Sequence, residues 1–243
     1  MRQQPPTLAS LTRNFVHCLE SEGKSPKTIE FYSTALKRLD VYLRKQGLAV
    51  DVRDIGVEEL RGYLHHLQND ARRWETTQTK DQGPLSIHSV HGHGRSIKAF
   101  WSWLATEGYV EGSLLGRLKL PKLPRIIIET FSREQINALL TACKKNEIHG
   151  NRNYLILLLL LDTGLRLSEL VNLAVDDIDF DNSPLSVIGK GKKERIIPFG
   201  SLVRRNLRRY VIHQRPDPES PIIKHVFLTY EGYPLKPRGV QTM

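Results

Sequence analysis

Cysteine is almost absent from this sequence. Cys18 and Cys143 are the only two in 243 residues, far apart and in no metal-ligand spacing. That excludes a disulfide framework and a cysteine zinc motif. Both lie in apolar helical patterns, which predicts buried free thiols in a reducing cytosol. Long apolar runs are missing too. The longest, Leu155 to Leu161, is far short of the ~20 residues that span a bilayer. The start, Met1 to Pro6, has no apolar core of a signal peptide. A soluble, cytoplasmic chain with no membrane partner is expected. Aromatic residues make up only 7% and mostly repeat at core positions, which speaks against an aromatic platform for single-stranded RNA.

What the sequence has in excess is positive charge. The net charge is +10 and the pI about 9.7. Residues 1–120 carry 17 Lys/Arg against 13 Asp/Glu, and residues 121–243 carry 19 against 13. Two basic halves favour an anionic partner, nucleic acid first, gripped from two faces. A length of 243 residues suits two modest domains.

The first half reads as four amphipathic helices. Leu8, Leu11, Phe15 and Leu19 share one face. Ser25-Pro26 is an N-cap followed by proline at the first helical position, ahead of Ile29, Tyr32, Leu36, Leu39 and Leu43. Val57 to about Asn69 is a third helix. Ser86 caps a fourth, with Ile87, Val90, Ile97, Phe100, Trp101 and Leu104 repeating at helical spacing. Arg72 to Pro84 reads as a loop. His88, His91 and His93 crowd the start of the fourth helix, but no fourth ligand stands near and no metal is expected. A solvated face is one reading. The other is a DNA-groove-facing helix whose Gly92 and Gly94 let the backbone approach phosphates, with Arg95 and Lys98 pairing to them. A basic, proline-containing linker follows at 119–130. Its Lys119, Lys122 and Arg125 suit an extended segment crossing a DNA backbone.

The second half opens on a capping box, Ser132 to Gln135, with Ile136, Leu139 and Leu140 starting an apolar stripe. The helix from Asn153 through Leu161 is apolar nearly all round, so it is expected at the centre of a core. Thr163-Gly164 breaks it, and Leu165 to Leu173 is a short helix. Val175 to Phe180, Leu185 to Ile188 and Arg195 to Phe199 read as strands, with Gly189 to Lys193 a hairpin tip. Ser201 to His213 is a helix whose Arg204, Arg205, Arg208 and Arg209 form one basic flank, either solvated or in contact with phosphate.

Two residues carry the chemistry. Arg166 follows a glycine turn beside the most apolar helix, and Glu169 lies one helical turn on. The planar guanidinium fork suits a phosphate as well as a carboxylate. Lys190 sits between two glycines at the hairpin tip.

Thr163-Gly164-Leu165-Arg166-Leu167-Ser168-Glu169-Leu170, followed by Val187-Ile188-Gly189-Lys190-Gly191-Lys192-Lys193-Glu194-Arg195-Ile196-Ile197-Pro198, resembles the tyrosine recombinases, the family of phage integrases and Xer-type recombinases. The resemblance implies a mainly α fold. Residues 1–118 would form a four-helix, SAM-like core-binding domain. Residues 131–243 would form the N-terminal part of a mixed α+β catalytic domain with a small β-hairpin sheet. It also implies strand cleavage and rejoining through a phosphotyrosyl link, with no cofactor, on double-stranded DNA. Arg166 would stabilise the phosphorane-like transition state, Lys190 would protonate the leaving 5′-oxygen, and Glu169 would hold the site in shape. Lys192 and Lys193 would join the DNA contacts. The family's His-x-x-Arg box and tyrosine nucleophile do not follow Lys190. His149 and Arg152 have the right spacing but precede Arg166. A C-terminally truncated recombinase is therefore expected, one that binds DNA without cleaving it and exposes apolar surface on its second domain. The family's homotetramer on paired sites is not expected of it. The alternative is a non-enzymatic DNA-binding remnant acting as a decoy or regulator.

Overall fold

The computed structural model describes residues 7–48, 51–71, 84–111, 116–125, 127–143, 149–182, 184–189 and 193–243. The chain divides into two compact units, Met1–Ile127 and Ile128–Met243.

The first unit is a helical bundle of α1 (Leu8–Ser21), α2 (Pro26–Lys45), α3 (Val57–Asn69) and α4 (Ile87–Thr106). Local sequence sets the starts. The Thr7, Ser25 and Ser86 hydroxyls each accept the N–H three residues on, at 3.2 Å, satisfying donors that the first turn leaves free. The Glu59 carboxylate reaches back to the Gly56 N–H at 2.8 Å. The apolar periodicity then decides the packing. Leu8, Leu11, Phe15, Leu36, Leu39, Leu60, Tyr63, Ile97, Phe100 and Trp101 are all buried in one core. Phe15 meets Phe100 edge-on at 5.4 Å and Tyr32 at 5.7 Å. Residues 72–83 of the expected loop lie outside the described residues.

Two expectations fail here. Gly92 and Gly94 do not open α4 to an anion. A Cβ on Gly92 would stand 3.2 Å from the Phe31 ring, and one on Gly94 would run into the Leu120 side chain. The glycines admit hydrophobic neighbours. For the same reason the segment from Lys119 is not a free linker at its start. Leu118 is buried, Leu120 packs on Gly94, and the Pro121 carbonyl lies 2.9 Å from His91 Nδ1. His93 is also engaged, with its Nδ1 3.1 Å from the Tyr63 hydroxyl. Burial, with the nearby Arg38 charge, lowers its pKa to about 4, so it is neutral at pH 7. Cys18 and Cys143 are free but half-buried, not buried: Cys18 sits at the edge of the apolar stripe of its helix, and Cys143 caps the end of a helix that has no buried residue.

The second unit contains α5 (Arg133–Ala142), α6 (Gly150–Thr163), α7 (Leu167–Asn172), β1 (Pro184–Ile188), β2 (Glu194–Pro198), α8 (Ser201–His213) and α9 (Pro237–Gln241). Ser132 and Gln135 form the expected capping box, yet α5 has no buried residue, and Leu139 is 40% exposed. Helix α6 is central, with Leu155, Ile156, Leu158 and Leu159 buried against α8, the hairpin and Val226-Phe227. The expected strand at Val175 to Phe180 does not form. Val175–Asp177 is a 3-10 turn, because the Asp177 carboxylate accepts the Ala174 N–H at 2.9 Å and draws the backbone into a local cap. Only Ile178 bridges, to Leu185. Strands β1 and β2 are antiparallel, pairing Leu185 with Ile197, Val187 with Arg195, and Ile188 with Glu194. Leu185, Val187 and Ile197 point into the core; Ile188 and Ile196 are 73% and 71% exposed. No described helix is long and apolar enough to cross a membrane.

Valine at position 94 should displace Leu120 from α4 while leaving the bundle folded. Limited trypsinolysis of Gly94→Val should cut at Lys119 and Lys122 several-fold faster than in the parent chain, with unchanged helix content by circular dichroism.

Candidate active site

Gly164 ends α6 in the left-handed region, φ 61°, and its N–H bonds the Leu160 carbonyl at 3.1 Å. This is the conformation that glycine adopts without strain. Leu165 then plugs the core, and Arg166 stands at the extended position preceding α7. The turn therefore sends the leucine inward and the arginine outward.

Glu169 fixes that arginine. Its side chain is only 3% exposed. One carboxylate oxygen accepts the Arg166 Nη1 at 2.9 Å; the other accepts the Arg166 backbone N–H at 2.8 Å and the Arg195 Nη2 at 2.6 Å. Burial alone would raise its pKa. The Arg166 N–H, the Arg166 guanidinium and Arg195 outweigh burial and hold it below the ordinary 4.5. A buried carboxylate with three donors is thus charged and satisfied.

The hairpin closes on the same point. A Cβ placed on Gly189 would stand 3.6 Å from Glu169 Oε1 and 4.0 Å from Arg166 Nη1. The Gly189 N–H bonds the Lys193 carbonyl at 2.8 Å, closing the base of the tip. The arginine turn and the end of β1 are therefore neighbours. Lys190 and Lys192 lie outside the described residues. The Arg166 side chain is 60% exposed, and among the described residues its Nε and Nη2 have no hydrogen-bond partner. They are available to an anion. A neighbouring cleft of about 450 Å³ is lined by Glu169, Asp177 and Glu194, whose carboxylates make it unsuitable for a phosphate.

The phage integrase family model matches residues 129–243, and the phage integrase N-terminal SAM-like domain model matches residues 11–111. The tyrosine recombinase XerC of Oceanobacillus iheyensis is 30% identical over 233 residues, covering 94% of this chain and 72% of that protein. The chain belongs to the tyrosine recombinases. The tyrosine recombinase XerD of Shewanella oneidensis is 30% identical over 195 residues, covering 80% of this chain and 60% of that protein. Among solved structures, a lambda integrase tetramer bound to a Holliday junction matches with a TM-score of 0.72 at 17% identity, over 98% of this chain and 64% of that one. At that identity the likeness is one of fold. The mainly helical architecture with a two-stranded antiparallel sheet agrees with it.

The other candidate residues are spread along both units. Arg95 is exposed on α4, and Lys98 is half-buried one turn beyond Gly94. Lys119, Lys122 and Arg125 are exposed on the segment that starts against α4; Lys193 is exposed at the hairpin base. Sequence reasoning missed Arg195 as a site residue. Its only signal was a basic residue on a strand opposite the inward Val187. Arg152 is a structural residue, donating Nη1 to the Leu228 carbonyl at 2.9 Å. Tyr210 belongs to the core, 2% exposed and 5.7 Å from the Phe227 ring, with burial raising its pKa to about 12. Tyr230 and Tyr233 are exposed around the Gly232 turn.

Arg195→Ala should cost about 1–2 kcal/mol, the range for a charge-assisted hydrogen bond discounted for the exposure of Arg195. Chemical denaturation at pH 7 measures it. Because Glu169 has a depressed pKa, its contribution is present above about 4.5 and lost as pH falls through its lower folded value. Stability of the parent should therefore drop below pH 4.5 more steeply than that of Glu169→Gln, as followed by thermal unfolding across pH 2.5–6.

Proposed function

We propose that this chain grips duplex DNA and presents one half of a phosphate-cleaving site, as part of site-specific recombination. The carrying observation is the Arg166–Glu169–Arg195 arrangement beside the end of β1. It presents a guanidinium, braced from behind, next to Gly189 at the end of β1. A braced, exposed arginine with free N–H groups is pre-organised for charge developing on phosphate oxygens and costs no reorganisation when that charge appears. In this reading Arg166 stabilises the transition state, Lys190 supplies the proton to the leaving 5′-oxygen, and Glu169 and Arg195 position Arg166. Arg95, Lys98, Lys119, Lys122, Arg125, Lys192 and Lys193 contribute phosphate contacts, and these give affinity with little sequence information.

These 243 residues contain no His-x-x-Arg after Lys190, and Tyr210 is a core residue. The reading is therefore that residues 1–243 bind duplex DNA without cutting it. Two measurements test it. A duplex gel shift should show binding that weakens by about 10³-fold or more between 50 and 200 mM salt, as expected for six or more phosphate contacts. A nicked suicide duplex, resolved on a denaturing gel, should give no covalent adduct. Salt-independent or absent duplex binding would sink the DNA reading; a covalent adduct would sink the non-cleaving one.

A further inference from the structure

Helix α8 has a charge pattern that the Arg166 site does not use. Its thirteen residues include Arg204, Arg205, Arg208 and Arg209 and not one acid. At 100° per residue the four arginines fall within an arc of about 140°, opposite the buried stripe of Val203, Leu207 and Tyr210. All four are exposed.

On α2 and α3 several surface cations are paired. Lys27 pairs with Glu30, Arg44 with Asp40, and Arg61 with Glu58, each within one turn. On α8 the one-turn neighbours are instead like charges, Arg204 with Arg208 and Arg205 with Arg209, a spacing that destabilises an isolated helix. Among the described residues none of the four forms an ion pair, and their one hydrogen bond runs from Arg204 Nη1 to the Asp181 carbonyl at 3.4 Å. Beside them is an open groove of about 680 Å³ lined by Phe180, Asp181, Ser201, Arg204, Arg205 and Arg208. Asp181 is its single acid. The groove lies at the base of the hairpin, next to Pro184, whereas Arg166 lies at the other end of β1, about 13 Å of strand away.

We propose that this arginine flank is a second duplex-binding surface, separate from the Arg166 site, that takes successive backbone phosphates of double-stranded DNA. The proposal rests on the DNA reading above and specifies where the second unit holds its partner. Four planar forks on one helix face, in no ion pair among the described residues, match a line of phosphates. The aromatic ring in the groove lining, Phe180, is half-buried and packed on the core, so among the described residues the flank offers no fully exposed ring for unpaired bases to stack on, which favours duplex over single strand.

The test uses fluorescence anisotropy of residues 1–243 on a 30-base-pair duplex from 50 to 200 mM salt. The parent is compared with R204A/R205A/R208A/R209A and with the all-lysine quadruple variant. The alanine variant should lose about 0.9 from the salt slope for each phosphate contact removed, so about 2 or more in total, and bind at least tenfold more weakly at low salt. The lysine variant should keep most of the slope, which shows that a lost slope in the alanine variant is not lost folding; matching thermal unfolding curves check the same point. An alanine variant that binds with the parent's slope and affinity overturns the proposal. So does a flank that polyglutamate blocks without affecting duplex binding, which would mark an acidic protein as its partner. No duplex binding by the parent itself would overturn the DNA reading, and this surface with it.

Discussion

A single buried carboxylate holds the candidate site together. Glu169 could not be 3% exposed and charged without donors on every side, and the fold supplies them from two places. Arg166 comes from the turn after α6 and Arg195 from β2, so the carboxylate ties the central helix, the short helix and the hairpin into one arrangement. The cost of desolvating one charge is offset here by the two arginines and the Arg166 N–H. The consequence reaches the outer face. Arg166 is held by one edge and keeps the rest of its fork exposed.

The same economy of polar groups appears at longer range. Arg152 joins α6 to the Val226–Leu228 segment through one carbonyl, and the Asp162 carboxylate accepts the Gly200 N–H at the start of α8. Each contact fixes where a helix begins or how it lies on the core. In the first unit the equivalent constraint is steric. Gly94 leaves a space that the Leu120 side chain fills, so the extended segment after the bundle begins docked on α4. The basic residues at 119 and 122 are thereby presented from an anchored stretch of chain.

Much of this was legible in the sequence wherever the controlling forces are local. Thr7, Ser25, Ser86 and Ser132 bond N–H groups three residues on, and Leu8, Leu11, Phe15 and Leu19 repeat at the helical period. What was misread had a local competitor or a distant partner. Val175 to Phe180 has strand-like residues, but Asp177 supplies a nearer acceptor than any strand could. The α4 glycines and histidines read as polar and open, and neighbours far along the chain close them: Phe31, Tyr63, Leu120 and Pro121.

The sequence by itself determined the helices, the hairpin, the basic balance and the two motifs that place the chain among the tyrosine recombinases, because caps, periodicity and motif spacing act over a few residues. Only the tertiary structure decided that Arg195 shares Glu169 with Arg166, that Gly189 comes up against that pair, and that, among the described residues, the arginines of α8 form no ion pair. Those facts depend on which surfaces meet when apolar faces are buried. A residue's charge is written in the chain, but its partner is set by packing.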